Sequence, residues 1–288
     1  MKPASFRYVA PTSIDEAIDI LGSHGSDARL LAGGQSLMPV LNFRLGQPSL
    51  LIDLNRIADL AFVREDGDRV AIGAMTRQSA IETDPLVARH VPLLAEATGN
   101  IAHRAVRNRG TIGGSLVQAD PAAEYPACML ALDATLVVRG RDGERRIAAT
   151  DFFDGPLTTT LAEGEILVRI EVPKAPPGSG SAFIELARRH GDFALAGVAA
   201  RIVLANGSVA RASLAACGAG PGPVRLSGAE QALLGSRADE AAIQSAGRAA
   251  MREVEPESDL HASAAYRRRI AGIMTARAVA RAVERAKA

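Results

Sequence analysis

The chain has 288 residues, 48% of them apolar and 23% charged, with a formal net charge of +1. That length holds two domains, or one large domain with an appendage, and it can bury a sizeable core. The near-neutral balance argues against a nucleic-acid binder, which usually carries a strongly basic face.

The opening stretch Met1–Pro11 lacks the apolar core of a secretory signal. No run of about 18 apolar residues follows, so no membrane span is expected. Only two cysteines occur, Cys128 and Cys217, and they form no CxxC pair. The histidines His24, His90, His103, His190 and His261 are scattered. A structural zinc site or an iron–sulfur cluster needs such ligands at close spacing, so neither metal ligands nor a cluster are expected on this chain. Together these features point to a soluble cytoplasmic protein.

Ser13-Ile-Asp-Glu16 is a capping box, with a hydroxyl at the N-cap and a carboxylate three residues on. It opens a helix with Ile14, Ala17, Ile18 and Leu21 on one face, ended by Gly22 and Gly25. Arg29–Leu31 reads as a short strand running into Ala32-Gly33-Gly34-Gln35-Ser36. Leu37–Leu45 reads as a helix and Leu50–Leu54 as a buried strand, so the opening is β/α in character. A turn at Asp66-Gly67-Asp68 precedes a strand at Arg69–Met75. Helical segments continue through Ala97, interrupted by Pro85 and Pro92. Gly110–Ser115 reads as a glycine-rich loop, and Pro121 as the start of a helix ending near Leu132. Asp142-Gly143 joins Ala134–Arg139 to Glu144–Ile147 as a hairpin, and Ile166–Val172 is a further strand.

Lys174-Ala-Pro-Pro-Gly-Ser-Gly-Ser181 combines rigid proline with flexible glycine and serine and reads as a linker. Beyond it, Asn206-Gly207 joins Ala199–Leu204 to Ser208–Ala215 in a second hairpin. Ala238–Met251 and Ala262–Ala286 are helices. The last is expected to face Tyr266, Ile270, Ile273 and Met274 inward and Arg277, Arg281 and Arg285 outward. Arg267-Arg-Arg269 reads as surface. A boundary near residue 176 divides a mixed β/α region from a β-meander with helices.

Two segments carry chemistry. Ala32-Gly33-Gly34-Gln35-Ser36-Leu37 follows a strand. Its glycines allow close backbone approach, and its N–H groups can form an anion nest beside a helix start. Gly110-Thr111-Ile112-Gly113-Gly114-Ser115 repeats that logic. Each could equally be an ordinary turn. Neither is a Walker loop and neither is GxGxxG, which removes support from a nucleotide kinase and a Rossmann dehydrogenase. Two such segments some 80 residues apart could grip one dinucleotide diphosphate from both sides. The basic stretch His103-Arg-Ala-Val-Arg-Asn-Arg109 could neutralise a diphosphate, dock a partner or form a solvated helix face. Asp120 and Asp192 read as loop caps.

Ala32–Leu37 together with Arg107-Asn-Arg-Gly-Thr-Ile-Gly-Gly-Ser115 resembles the medium, FAD-binding subunit of carbon monoxide dehydrogenase and of related xanthine-dehydrogenase-type molybdenum hydroxylases. The likeness extends through Gln47-Pro48, Leu51-Ile-Asp-Leu54, Ala119-Asp-Pro-Ala-Ala-Glu124 and Gly191-Asp-Phe-Ala-Leu-Ala-Gly197. It implies an α+β protein: a two-part FAD-binding domain of the vanillyl-alcohol-oxidase (PCMH) type over 1–176, with parts at about 1–56 and 57–176, then a small α+β domain over 177–288.

The resemblance places FAD on this chain. Residues 32–36 and 111–115 would wrap its diphosphate, with Leu31, Leu37 and Gly110 beside them. Ile101, Ala102 and Ala123 would line the cofactor, and Glu124 would hydrogen-bond its sugar portion. Ile166 and Leu167 would lie near the adenine or the ring, and Phe193 would lie against the isoalloxazine. A small subunit would carry two [2Fe–2S] clusters and a large one molybdopterin and the substrate site, assembled as (αβγ)2. Electrons would leave through FAD to an external acceptor, and no catalytic side chain is expected here. Three positions depart from the carbon monoxide dehydrogenase pattern: Gln35 for His, Ser115 for Asn or Asp, and Phe193 for Tyr. They weigh against carbon monoxide as the substrate and set N-heteroaromatics and aldehydes beside it. The alternative is a stand-alone flavin oxidase or dehydrogenase, which would need an acid or base beside the flavin N5.

Overall fold

The computed structural model describes residues 1–288, and three main sheets follow one another along the chain. Strand β1 (Arg7–Val9), helix α1 (Ile14–His24), strand β2 (Ala28–Leu31), helix α2 (Leu37–Asn42) and strand β3 (Leu50–Asp53) form the first unit. Its strands are parallel in the order β1-β3-β2. Ser13 Oγ accepts the Glu16 N–H at 3.3 Å and Glu16 Oε2 accepts the Thr12 N–H at 2.9 Å, so the cap of α1 is reciprocal. Contrary to expectation, α1 runs through Gly22. It stops at Gly25, whose φ of 49° lies in the left-handed region.

The second unit runs β4 (Val63–Asp66), β5 (Arg69–Gly73), α3 (Gln78–Ile81), α4 (Pro85–His90), α5 (Pro92–Asn100), α6 (Arg104–Arg107), α7 (Ile112–Gln118), α8 (Glu124–Leu132), β6 (Thr135–Gly140), β7 (Gly143–Ala148), β8 (Phe153–Gly155), β9 (Thr158–Thr159) and β10 (Ile166–Pro173). Five strands form an antiparallel sheet in the order β4-β5-β10-β6-β7, and β8 pairs with β9 apart from it. Every residue of α8 is buried, so this helix has no solvent face. Pro121 does not start it. Asp120 Oδ1 takes the Ala122 N–H at 2.9 Å, and the Pro121 carbonyl is held by the Gly218 N–H at 2.7 Å, which fixes a turn before Glu124.

The third unit is an antiparallel meander of β11 (Ser179–Ala187), β12 (Ala194–Ala205), β13 (Ser208–Cys217) and β14 (Val224–Arg225), backed by α9 (Ser227–Leu233), α10 (Glu240–Glu253) and α11 (Ala264–Lys287). Asn206 and Gly207 both have positive φ, as a two-residue hairpin turn requires. The expected linker is shorter than its composition suggested, because Ser179, Gly180 and Ser181 already belong to β11. At Gly180 a Cβ would lie 2.1 Å from the Ala282 carbonyl oxygen, so glycine lets α11 rest directly on the strand. Two expectations for α11 are corrected. Tyr266 is 45% exposed, whereas Arg267 is buried. Arg267 turns inward to donate to the Leu195 and Gly218 carbonyls and to Asp259.

The seam between the second and third units is part of one core. Phe183, Ala194, Ala199, Ala215 and Cys217 pack in the same cluster as Tyr125, Cys128 and Leu132 of α8. Asp133 ends α8 in the left-handed region and accepts Arg201, Arg211 and Arg225, one each from β12, β13 and β14. Arg225 also donates to the Leu130 carbonyl at 2.6 Å, so positive charge meets the negative end of the helix.

Candidate cofactor site

β2 and β3 are parallel, and their last residues, Leu31 and Asp53, are register partners. The chain leaves β2 through Ala32–Ser36 into α2. A ligand-binding crevice is expected beyond the carboxyl ends of such strands. A cavity of about 370 Å³ lies there, lined by Leu31, Ala32, Gly33, Gly34, Gln35, Met38, Pro39, Asp53, Asn55 and Arg109.

The two glycine-bearing segments lie against each other. A Cβ on Gly33 would sit 2.3 Å from the Arg109 carbonyl oxygen and 2.7 Å from Gly110 Cα. A Cβ on Gly114 would sit 3.4 Å from Ala32 Cβ. At Gly33 only backbone fits between the segments, whereas at Gly114 an added Cβ would just touch Ala32.

The segments are chemically unequal. The N–H groups of Gly33, Gly34, Gln35 and Ser36 donate to no backbone carbonyl, which leaves four successive donors free for an anion. The second segment is not a loop: from Ile112 it is the first turn of α7. The Ile112 N–H donates to the Thr76 carbonyl, Gly113 to Ala74, Gly114 to Thr111 Oγ1 and Ser115 to the Thr111 carbonyl. Thr111 is the N-cap that closes this turn. The segment therefore supplies a close wall and a helix start, while the first loop supplies the free donors.

Asn55, Arg77 and Arg109 hold the two walls in register; Arg109 lies in the basic stretch read from the sequence, whereas Asn55 and Arg77 were not singled out there. Asn55 Nδ2 donates to the Ala32 carbonyl at 2.9 Å. Arg77 donates to Asn55 Oδ1 and to the Arg109 carbonyl. Burial and then the neighbouring Arg109 charge push the Arg77 guanidinium below its usual range, as expected where two cations meet. Burial alone would raise the Asp53 carboxyl. Hydrogen bonds from Tyr8 and Asn55 outweigh that and hold it below its usual range.

A second group of expected residues gathers across the seam. Arg107 is buried, pairs with Glu82 at 3.0 Å and donates to the Ile101 and Ala102 carbonyls, so it braces that segment and is not a solvated charge. A Cβ on Gly191 would meet His103 at 2.7 Å and the Ala102 carbonyl oxygen at 3.0 Å, which seats the loop carrying Phe193 on this segment. Phe193 itself is 68% exposed. Ala123 is the N-cap residue of α8 and Glu124 its first residue. Ile112, Ile166 and Leu167 point elsewhere: all three are buried in hydrophobic cores.

Glu124 is 6% exposed, and its only hydrogen bond is to its own backbone. Burial pushes its carboxyl up to about 7, and burial with the Glu124 charge pushes Glu185 up to about 8. An acid whose folded pKa exceeds its unfolded value of about 4.5 costs stability as pH rises. The unfolded chain ionises first, and the loss is complete above the folded pKa. Flavin-free chain is expected to lose on the order of 3 kcal/mol through Glu124 between about pH 4.5 and about pH 7.5. Glu124→Gln should recover that share in unfolding free energies measured at both ends of the window. An identical pH profile for wild type and variant would refute it.

No group of three or more His, Cys, Asp or Glu gathers as metal ligands, and no helix is long and apolar enough to cross a membrane. A family model described as the FAD binding domain in molybdopterin dehydrogenase matches residues 4–175. A second, the CO dehydrogenase flavoprotein C-terminal domain, matches residues 181–282. The chain is 42% identical to the 6-hydroxypseudooxynicotine dehydrogenase complex subunit alpha of Paenarthrobacter nicotinovorans, over 100% of this chain and 97% of that one. Its structure superposes on a chain of carbon monoxide dehydrogenase from Hydrogenophaga pseudoflava with a TM-score of 0.97, at 43% identity over 99% of both chains. A chain of quinoline 2-oxidoreductase from Pseudomonas putida 86 gives a TM-score of 0.95 at 39% identity, over 100% of both.

Proposed function

Because the chain belongs to the FAD-binding medium subunits of molybdenum hydroxylases, we propose that it is the electron exit of such a complex, with Ala32–Ser36 and Thr111–Ser115 holding the FAD diphosphate. The observation that carries this reading is the run of four free N–H groups in a loop that lies against the second segment too closely for a side chain at Gly33. That arrangement fits a diphosphate, and the buried Glu124 carboxyl, bonded only to its own backbone, fits a sugar hydroxyl donor. Arg77 and Arg109 offset the diphosphate charge, Ile101, Ala102 and Ala123 flank the cofactor, and Phe193 covers its ring.

When bound, the flavin supplies both one- and two-electron redox chemistry, which suits an outlet for electrons arriving singly. The chain's own part is to bind, orient and shield. Its iron–sulfur and molybdopterin partners form a cytoplasmic (αβγ)2 assembly with it, and the acceptor is external. The chain divides near residue 176 into the FAD-binding part and the smaller C-terminal domain. The relatives named above are, by their names, parts of a 6-hydroxypseudooxynicotine dehydrogenase, a carbon monoxide dehydrogenase and a quinoline 2-oxidoreductase. Gln35, Ser115 and Phe193 weaken carbon monoxide as the substrate and set N-heteroaromatics and aldehydes beside it.

Purified alone, the chain is expected to be yellow and to oxidise no N-heteroaromatic, aldehyde or carbon monoxide with an artificial acceptor. Turnover should appear only when the iron–sulfur and molybdopterin subunits are restored. Robust oxidation by the isolated chain would instead establish a stand-alone flavin oxidase.

A further inference from the structure

One face of the C-terminal sheet carries a carboxyl group with nothing to bond to. Glu185 of β11 has its Oε2 buried without a hydrogen-bond partner, and no cation pairs with it. It lies two residues beyond Phe183 on an extended strand, so both side chains leave β11 on the face that packs against α8. Its register partner is Gly197 of β12, which pairs in turn with Cys217 of β13. A Cβ on Gly197 would lie 2.8 Å from Cys217 Sγ and 3.1 Å from Glu185 Cβ, so glycine lets these two side chains close over it. Cys217 packs in the same cluster as Cys128, which sits one helical turn along α8 from Glu124. Glu124 and Glu185 therefore approach a shared patch of thiol and hydrocarbon from opposite sides of the seam.

A buried carboxylate without a donor is costly, and a second one beside it raises the cost. Glu124 titrates at about 7 and Glu185 at about 8, so at neutral pH the proton that remains on the pair sits on Glu185. The groups around them do not compete. Burial pushes the Cys128 and Cys217 thiols well above their usual range. Glu96 of α5 is paired with Arg285 at 2.6 Å. Asp120 acts on Glu124 from the turn before α8, and His103, under Gly191, is exposed.

We propose that Glu185 is a positioning residue for the cofactor: as the neutral acid it leaves Glu124 the only charged carboxyl of the pair, set to accept a hydroxyl of the FAD sugar. The inference rests on the reading of Glu124 given above. A charge on Glu185 opposes the charge that the sugar hydroxyl needs, so apparent affinity follows the fraction of chains in which Glu185 is neutral.

The test uses the full chain, stripped of FAD and titrated with it at constant ionic strength from pH 7 to pH 9, followed by flavin fluorescence. Wild type is expected to lose roughly tenfold in affinity over that range, because only about one chain in ten keeps Glu185 neutral at pH 9. Glu185→Gln cannot ionise and should hold its pH 7 affinity to pH 9. In a Glu124→Gln background, Glu185→Gln should make no difference to the profile. If Glu185→Gln fails to fold, calorimetry on wild type at pH 8 in two buffers of unlike ionisation enthalpy decides, with uptake of about half a proton per FAD bound expected. Parallel profiles in wild type and Glu185→Gln, a fall that persists in Glu124→Gln, or FAD binding without proton uptake overturns this inference alone. A wild-type chain that binds no FAD at any pH overturns the cofactor reading together with it.

Discussion

Gly33→Ala is expected to leave the chain folded and colourless. Its new Cβ would meet the Arg109 carbonyl oxygen and Gly110 Cα, both backbone atoms. Neither can swing aside as a side chain would. The Arg109 carbonyl is gripped by Arg77, the Gly110 carbonyl accepts the Gln78 N–H at 2.9 Å, and the Gly110 N–H donates to Val106 at 2.7 Å. The first loop must therefore lift off, and its four free donors lose their alignment. Flavin per chain, read by absorbance after size exclusion, should fall roughly tenfold or more, equivalent to at least about 1.4 kcal/mol of binding. Gly67→Ala is the control. Unlike Gly33 it has positive φ, and nothing lies within 4 Å of its Cβ. It should cost about 1 kcal/mol of stability and no flavin. Gly114→Val attacks the opposite wall: its Cβ meets Thr111 Oγ1 at 2.8 Å, breaking the cap of α7, and the same loss of flavin is expected. Wild-type flavin content in Gly33→Ala would reject the cradle.

Asp133→Ala should be the most damaging change away from that cradle. It removes the shared acceptor of Arg201, Arg211 and Arg225 and leaves a buried guanidinium group without a counter-charge. Removing one partner of a buried pair costs several kcal/mol; because Asp133 itself is partly exposed, about 3 kcal/mol is expected, read from urea unfolding. Asp133→Asn keeps an acceptor and tolerates the left-handed backbone, so it should lose about half as much. A loss below about 1 kcal/mol in the alanine variant would show that the seam is held by apolar contact alone.

The first cradle was legible because glycines after a strand and before a helix leave few alternatives. The second was legible as a ligand-facing segment but not as a helix. Glycine-rich sequence reads as loop, and what closes the turn is the Thr111 cap together with Gly113 seated on Ala74, where a Cβ would come within 2.6 Å. Asn55 and Arg77 escaped because their partners, Ala32 and Arg109, are distant in sequence. The parallel pairing of Leu31 with Asp53 was the signal that could have led there. Arg107 and Arg267 were misjudged for one reason. A cluster of arginines looks solvated by composition, but in each cluster one guanidinium is recruited by carbonyls that only the folded chain brings within reach.

Helix α8 behaves as a stiff rod about 13 Å long, with Glu124 at its head and three guanidinium groups clamped on its tail. Because α8 has no solvent face and is fixed at its tail by charges from the C-terminal sheet, the placing of the Glu124 carboxyl, about two and a half helical turns away, depends on both halves of the chain.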